Sequence, residues 1–347
     1  MAVTLTSAGV DMAPAHPDPA AQPGLSPLAR AGLAALMAGL LLLPVVLSDY
    51  RLFLVTMTLI TAIAVLGLNM LVGYNGQLSL GHGAIYALGA YTTAILIDKA
   101  GFAWWATLPV SAAVCFVFGF AFGWPALRLK GHYLALATFA LALATPQLLK
   151  HKALEAWTGG VQGIVLSKPD APFGWKLSQD QWLYLCVLAV MVTLFVIAWN
   201  LLRGRLGRAT VAIREQPIAA SAMGVNVAMV KATTFGISSL YTGVAGSLGA
   251  VATAFVAPDS FGMFVSVFLL VGVVVGGLGT ISGAVLGAAF IQFVPNFADQ
   301  ISKSAPSAIF AAFLIASMFL MPQGFVGLGR SAWQRLRATV RRPPRGD

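Results

Sequence analysis

The chain has 347 residues, 59% of them hydrophobic and only 9% charged, with a formal net charge of +10 and a mean hydropathy of +0.85. Soluble domains carry roughly 25% charged residues, so this composition excludes one and defines an integral membrane protein. The positive charge does not point to nucleic acid, because the basic residues flank membrane-length apolar stretches and no aromatic-interleaved binding module accompanies them; anionic lipid headgroups account for them.

Residues 1–28 are interrupted by Pro14, Pro17, Pro19, Pro23 and Pro27 and have no basic n-region followed by an apolar h-region. They read as a disordered cytoplasmic tail, not a signal peptide. A helix rises about 1.5 Å per residue, so crossing a hydrocarbon core of about 30 Å takes roughly 20 apolar residues. On that measure residues 29–325 form a transmembrane domain of ten spans, near 30–48, 52–72, 78–97, 103–124, 131–149, 182–202, 232–253, 262–278, 281–298 and 305–322. The expected fold is an all-α polytopic membrane protein with about ten transmembrane helices, some of them discontinuous. Trp104, Trp105, Trp124, Trp182 and Trp199 fall near predicted span ends, where amphipathic rings belong. Cys115 and Cys186 fall inside apolar stretches and indicate neither a disulfide framework nor a metal site.

The first feature with chemical interest runs through Asn75, Gly76, Gln77, Ser79, Gly81, His82 and Gly83. It is not a nucleophile elbow: G-x-S-x-G would need Gly at position 77, and no strand-turn-helix surrounds it. His82 has no His, Cys or carboxylate at ligand spacing, so no metal is expected, and no G-x-x-x-x-G-K-[ST] occurs anywhere. The glycines instead weaken a helix by roughly 1 kcal/mol each relative to Ala, which predicts a discontinuous or closely packed span. Irregular backbone in a membrane is tolerated where protein buries it or a water-filled cavity solvates it, and the residues alone leave packing and pathway lining both open.

The connection from Lys150 to Gln181 holds Lys150, Lys152, Lys168 and Lys176 and would face outward, a mild exception to the positive-inside pattern. The polar segment 203–231, with Arg203, Arg205, Arg208, Arg214, Glu215 and Lys231, is expected on the cytoplasmic side, with the Arg128/Lys130 turn and the basic tail 326–347; with ten spans both termini are cytoplasmic. Within that segment Pro217 suits the first position of a helix and Gly224 its C-terminal stop. The two turns between them are too short to be stable alone, so this element is expected to dock on a partner, with Glu215 at the positive end of its dipole. A second glycine cluster surrounds Thr280: Gly272/Gly276 and Gly283/Gly287 are G-x-x-x-G pairs, as is Gly119/Gly123, and all suit close contact between helices.

The runs Gly67 to His82, Gly207 to Glu215, Ala219 to Asn226 and Gly276 to Thr280 resemble LivM-type permeases of branched-chain amino acid ABC importers, over roughly residues 50–325. The resemblance implies a bacterial cytoplasmic (inner) membrane protein, no cofactor, a second LivH-like permease subunit, two ATPase subunits and an extracytoplasmic substrate-binding protein. It also implies alternating access, coupled through an E-A-A-x-x-x-G loop. Ala219, Ala220 and Gly224 fit the last three fixed positions, while Ile218 stands where the Glu would be, leaving helix-in-groove docking through the apolar face. The chain then forms half of a transmembrane pathway and performs no bond chemistry, with leucine, isoleucine or valine as expected cargo. Similar permeases serve urea, amides and aromatic acids. An ion-coupled secondary transporter would need buried carboxylates or histidines as coupling sites, and the spans offer only His82, His132 and Asp299 near their ends.

Overall fold

The structure, a computed structural model, describes residues 38–126, 132–171, 177–301, 303, 305–321 and 324–327. The N-terminal tail 1–28, the start of the span predicted near 30–48, the Arg128/Lys130 turn, Lys176 and the basic tail from Leu328 onward lie outside the described residues. The chain divides into two units, Met1–Leu40 and Leu41–Asp347. The second contains everything discussed below.

After a helical stretch at residues 41–46, this unit is built from α1 (Asp49–Asn69), α2 (His82–Ala100), α3 (Trp104–Ala126), α4 (His132–Leu149), the short α5 (Lys152–Thr158) and α6 (Gln179–Arg203). Then follow α7 (Arg205–Glu215), α8 (Pro217–Ala222), α9 (Val227–Thr253), α10 (Met263–Gly276), α11 (Ile281–Ile301) and α12 (Pro306–Leu320). The strand content of the described residues is a two-residue antiparallel ladder, β1 (Ile164–Val165) on β2 (Phe255–Val256), pairing Ile164 with Val256.

Local chemistry sets several boundaries. Ser178 and Gln181 form a reciprocal capping box at the start of α6, and Arg203 closes that helix with its guanidinium 3.9 Å above the Trp199 ring. Asn226 starts α9 by accepting the Met229 N–H at 3.0 Å. The Ser178 hydroxyl also donates to the Asp49 carboxylate at 3.0 Å, which sets the beginnings of α1 and α6 side by side.

Helix α9 is the axis of the fold, packed against α1, α2 and α3, while α10 and α11 pair on another side of α1. The spanning windows of α9 and α1 are 89% and 72% buried, against 28–39% for α3, α6, α10 and α11. Lipid offers no hydrophobic drive between apolar helices, so close packing has to come from small residues and local hydrogen bonds. On α9, a Cβ on Gly246 would sit 2.0 Å from the Tyr86 carbonyl oxygen of α2, and one on Gly243 would sit 2.4 Å from Cys115 Sγ of α3. The α10–α11 pair is held the same way, a Cβ on Gly276 falling 2.0 Å from the Gly283 carbonyl oxygen.

Where ten spans are expected, the described residues contain six helices long and apolar enough to cross a membrane, or seven if the α4–α5 pair, bent by 80°, counts as one. The difference has local causes. The span predicted at 78–97 does not begin at residue 78: the chain is non-helical through Gly81, and α2 starts at His82 and ends at Ala100, with Asp98 and Lys99 in its last turn. The last predicted span is a shorter apolar helix, residues 308–317.

The ladder, the 3-10 turn Pro258–Phe261 and α5 cap the end of the bundle where α9 finishes. Beneath them Tyr91, Ile164, Leu166, Val256 and Phe261 form an apolar cluster. Two of the four lysines of the connection are paired here, Lys150 with Asp259 at 2.5 Å and Lys168 with Asp180 at 2.7 Å.

Candidate functional site

At the other end of the bundle α1 does not stop cleanly. It passes into a π-helical turn, Met70–Tyr74, an arrangement that inserts one residue per turn and recurs at functional sites. Asn69, buried at the junction, spends its whole amide on the second glycine cluster. Its Nδ2 donates to the Thr280 carbonyl at 2.8 Å and its Oδ1 accepts the Gly279 N–H at 2.9 Å. Gly73 lies flat against that loop, since a Cβ there would come within 2.3 Å of the Gly279 nitrogen. The two glycine clusters, over two hundred residues apart in sequence, are thus one contact.

From Asn75 the chain runs without helix to Gly81, with Gly76 in the left-handed region at φ +69. Neighbouring helices supply the hydrogen bonds that an extended strand of backbone lacks in a membrane. The Leu80 N–H donates to Thr138 Oγ1 of α4 at 2.9 Å, and the Gly83 N–H to Ser266 Oγ of α10 at 2.8 Å. Gly81 abuts the Thr138 carbonyl, 2.8 Å from where its Cβ would be. Gln77 is buried and its Nε2 reaches toward the Lys231 carbonyl at 3.5 Å.

His82 is fully buried between two hydroxyls, Ser79 Oγ 3.0 Å from Nδ1 and Ser238 Oγ 2.7 Å from Nε2. Ser238 donates its own proton to the Gly67 carbonyl at 2.6 Å, so it accepts from Nε2–H, and Ser79 donates to Nδ1. The tautomer assigned by this network leaves the ring neutral and every polar atom used. It staples α2 to α1 and α9 and has no free group with which to attack a substrate. Asn75 is the opposite case: it is 2% exposed, and neither amide atom has a hydrogen-bond partner among the described residues. Among those residues no group of three or more His, Cys, Asp or Glu could hold a metal ion.

The polar segment after α6 is more ordered than a loop. It opens with α7, whose Gly207, Thr210 and Ile213 are buried at helical spacing while Arg205, Arg208, Ala212 and Glu215 are exposed. Glu215 is the last residue of α7, not part of the first turn of the next helix, whose N-cap is Gln216. Pro217 takes the first position of α8. Gly224, at φ +82, ends it in a Schellman motif: the Val225 N–H donates to the Ala220 carbonyl at 3.1 Å and the Gly224 N–H to the Ser221 carbonyl at 3.0 Å. Ala220 is 5% exposed and faces the protein; Ala219 is exposed, and Ile218 and Met223 stand out at 82% and 85%.

Arg214 joins these two regions. It leaves the last turn of α7 to donate through Nη1 to the Gly73 carbonyl in the π turn of α1. Its side chain also lies against Gly76, whose added Cβ would be 3.2 Å from Arg214 Cγ. The structure therefore brings together Arg214, Asn75, Gly76 and Gln77, and places Ser79, His82 and Gly83 deeper along the same run. Pro217, Ala219 and Gly224 lie on the outer surface one helix away. Sequence reasoning missed Asn69 and the hydroxyls of Thr138, Ser238 and Ser266. Asn69 was discoverable, as an amide inside an apolar span; one serine among many in α9 or α10 carries no such mark.

Long apolar helices around a buried axis, with a surface helix tied by one arginine to a break in the buried α1, define the class: a polytopic membrane protein with irregular backbone inside its bundle. The comparisons give the family. The family described as branched-chain amino acid transport system, permease component, matches residues 50–322, and the chain belongs to that family. The high-affinity branched-chain amino acid transport system permease protein LivM of Escherichia coli K12 is 34% identical over 322 residues, covering 86% of this chain and 75% of that protein. LivM of Salmonella typhimurium LT2 is 34% identical over 299 residues, 79% of this chain and 69% of that protein. The high-affinity branched-chain amino acid transport system permease protein LivH of Escherichia coli K12 is 22% identical over 282 residues, 77% of this chain and 91% of that protein. No solved structure matches the chain at a significant level.

Proposed function

We propose that this chain forms half of the translocation pathway of an ABC importer for leucine, isoleucine or valine, beside a LivH-like permease. Two ATPase subunits bind at α8, and a substrate-binding protein delivers cargo to the opposite face. The observation that carries this reading is the pairing of the exposed Ile218 and Met223, on and just after a six-residue helix that starts at Pro217, with the Arg214 link to the break in α1. A helix of that length does not persist without docking, and its two exposed side chains suit a hydrophobic groove. Motion of α8 and α7 then reaches the Asn75–Gly83 break through one side chain.

With Arg203, Arg205 and Arg208 at the α8 end, that end faces the cytoplasm, and the protein resides in the bacterial inner membrane with both termini inside. About ten crossings are kept by counting the segment predicted near 30–48, α2, the α4–α5 pair and α12 beside the six long helices. The break serves as a hinge more than as a lining for cargo, because Ser79 and His82 are fully buried and already hydrogen-bonded to protein.

The test is reconstitution of the four-component importer in proteoliposomes with radiolabelled leucine. Uptake should require ATP, the ATPases and the binding protein, and the double variant Ile218→Asp/Met223→Asp should lose co-purification of the ATPases while keeping its thermal midpoint. Uptake driven by an ion gradient without those partners, or full coupling in the double variant, overturns the proposal.

A further inference from the structure

A groove of about 760 Å³ lies between the first turns of α1, the last turns of α11 and the middle of α12, at the end of the bundle away from α7 and α8. That volume is in the range of roughly 300–1,000 Å³ typical of small-molecule sites. The groove is graded in polarity. Its deeper wall is apolar, from Leu54 and Val55 on α1, Phe293 and Phe297 on α11 and Phe313 on α12. Its outer rim carries Tyr50, Arg51 and Gln300, while Asn296 lies on the wall between Phe293 and Phe297. From Gln300 down to Phe293 the helix rises about 10 Å, so the rim cation and amide stand above a mostly apolar wall along the membrane normal.

Two local facts shape this site. Pro295 lies inside α11 and has no N–H, so the helix loses a backbone bond in the stretch that lines the groove. Asn296 donates its Nδ2 to the Gln292 carbonyl at 2.6 Å, next to the Ile291 carbonyl that the proline leaves without its helical donor. Arg51, in turn, is in no ion pair among the described residues, and the nearby Asp49 carboxylate accepts from the Ser178 hydroxyl instead. An arginine without a carboxylate above an aromatic-lined slot presents a planar fork of donors for a phosphate.

We infer that this groove is a glycerophospholipid site, with the phosphodiester on Arg51 and one acyl chain along Phe293, Phe297 and Val55. The gradient from rim to floor matches that of a phospholipid standing in its leaflet. A transmembrane helix of the second permease would be apolar at the rim's depth or bring its own carboxylate to Arg51. The lipid satisfies the cation and fills the slot with one molecule, and it fixes the spacing of α1 against α11, the two helices that Asn69 joins at their other ends.

The experiment uses the full importer assembled in nanodiscs containing a phosphatidylglycerol with a photoactivatable diazirine on one acyl chain, and the labelled peptides are mapped by mass spectrometry. Label is expected on the α1 peptide around Val55 and the α11 peptide around Phe297. It should drop at least five-fold in Arg51→Gln, stay within two-fold in Arg51→Lys, and vanish in Val55→Trp, which fills the slot. A diacylglycerol carrying the same diazirine but no phosphate should label these peptides at least five-fold less. Equal labelling by the two probes, label unaffected by Arg51→Gln, or cross-links from a photoreactive residue at Phe297 to the second permease would each overturn the assignment. Should Val55→Trp fail to assemble, Arg51→Gln with an unchanged thermal midpoint decides alone.

Discussion

Substituting Gly73 by Ala tests whether the join between the two glycine clusters holds the α1 terminus in place. The added Cβ would stand 2.2 Å from Asn69 Oδ1, 2.3 Å from the Gly279 nitrogen and 2.9 Å from its Cα. Two of the three are backbone atoms, and the third belongs to the amide that clamps Gly279 and Thr280, so no rotamer change makes room. Forcing the loop away forfeits two buried hydrogen bonds, about 1 kcal/mol each, and adds overpacking strain of about 1–3 kcal/mol. Against this, Ala is favoured over Gly in helical backbone by roughly 0.5–1 kcal/mol, for a net loss of about 2–4 kcal/mol. At about 2 °C per kcal/mol for a chain of this size the thermal midpoint should fall by about 4–8 °C. The matched control is Gly224→Ala, where nothing lies within 4 Å and the only obstacle is φ +82, costing about 1–2 kcal/mol. Midpoints from size-exclusion recovery after heating, compared at one heating rate because unfolding of such proteins is commonly irreversible, give the ranking. A Gly73→Ala midpoint within 1 °C of the parent, or one no lower than that of Gly224→Ala, refutes the reasoning.

Asn75→Leu removes an amide that is buried without a partner, and should raise the midpoint by the equivalent of about 1–3 kcal/mol; a lowered midpoint would show that the amide is satisfied after all. Arg214→Gln deletes the charged donor to Gly73 and should cut ATP-dependent uptake about ten-fold with the ATPases still bound, as measured by uptake and pull-down on the same preparation. Ala254→Gly relieves a left-handed alanine at φ 56 and should stabilise the protein by about 0.5–1 kcal/mol, read as a midpoint rise of one to two degrees. Lys150→Ala breaks a pair with the largely exposed Asp259; exposed ion pairs contribute about 0–1 kcal/mol, so the midpoint should move by less than about 2 °C.

Membrane-length apolar runs made most of the spans legible in the sequence, because a bilayer imposes one length on every helix that crosses it. α1, α3, α6, α9, α10 and α11 each lie close to where hydropathy places them. The break at residues 75–81 was visible as a cluster of glycines, and the stop at Gly224 as a residue able to take positive φ. What stayed hidden depended on three-dimensional neighbours. α7 reads as a run of charges until its buried Gly207, Thr210 and Ile213 reveal a helix lying on the bundle. The sequence could not choose between packing and pathway for Ser79, His82 and Gly83, because the partners that complete their hydrogen bonds, Ser238 and Ser266, come from α9 and α10. Arg214 is expected, with Glu215, Pro217, Ala219, Ala220 and Gly224, among the ATPase-coupling residues, and nothing in the sequence points to its contact with Gly73 across 141 positions.

The burial of α9 also bears on how the protein is made. Its spanning window has a mean hydropathy of 1.3, the lowest of the six long helices, and the hydroxyls of Ser238, Ser239, Thr242 and Ser247 along it are buried only once its neighbours surround it. Alone in lipid such a segment is a poor candidate for release from the insertion machinery. Its neighbours α1, α2 and α3 all precede it in the chain and are synthesised first. Biogenesis therefore has a built-in order: the earlier helices wait as an unfilled sleeve, and the axis of the finished bundle enters last among them, sheltered from lipid by helices already in place.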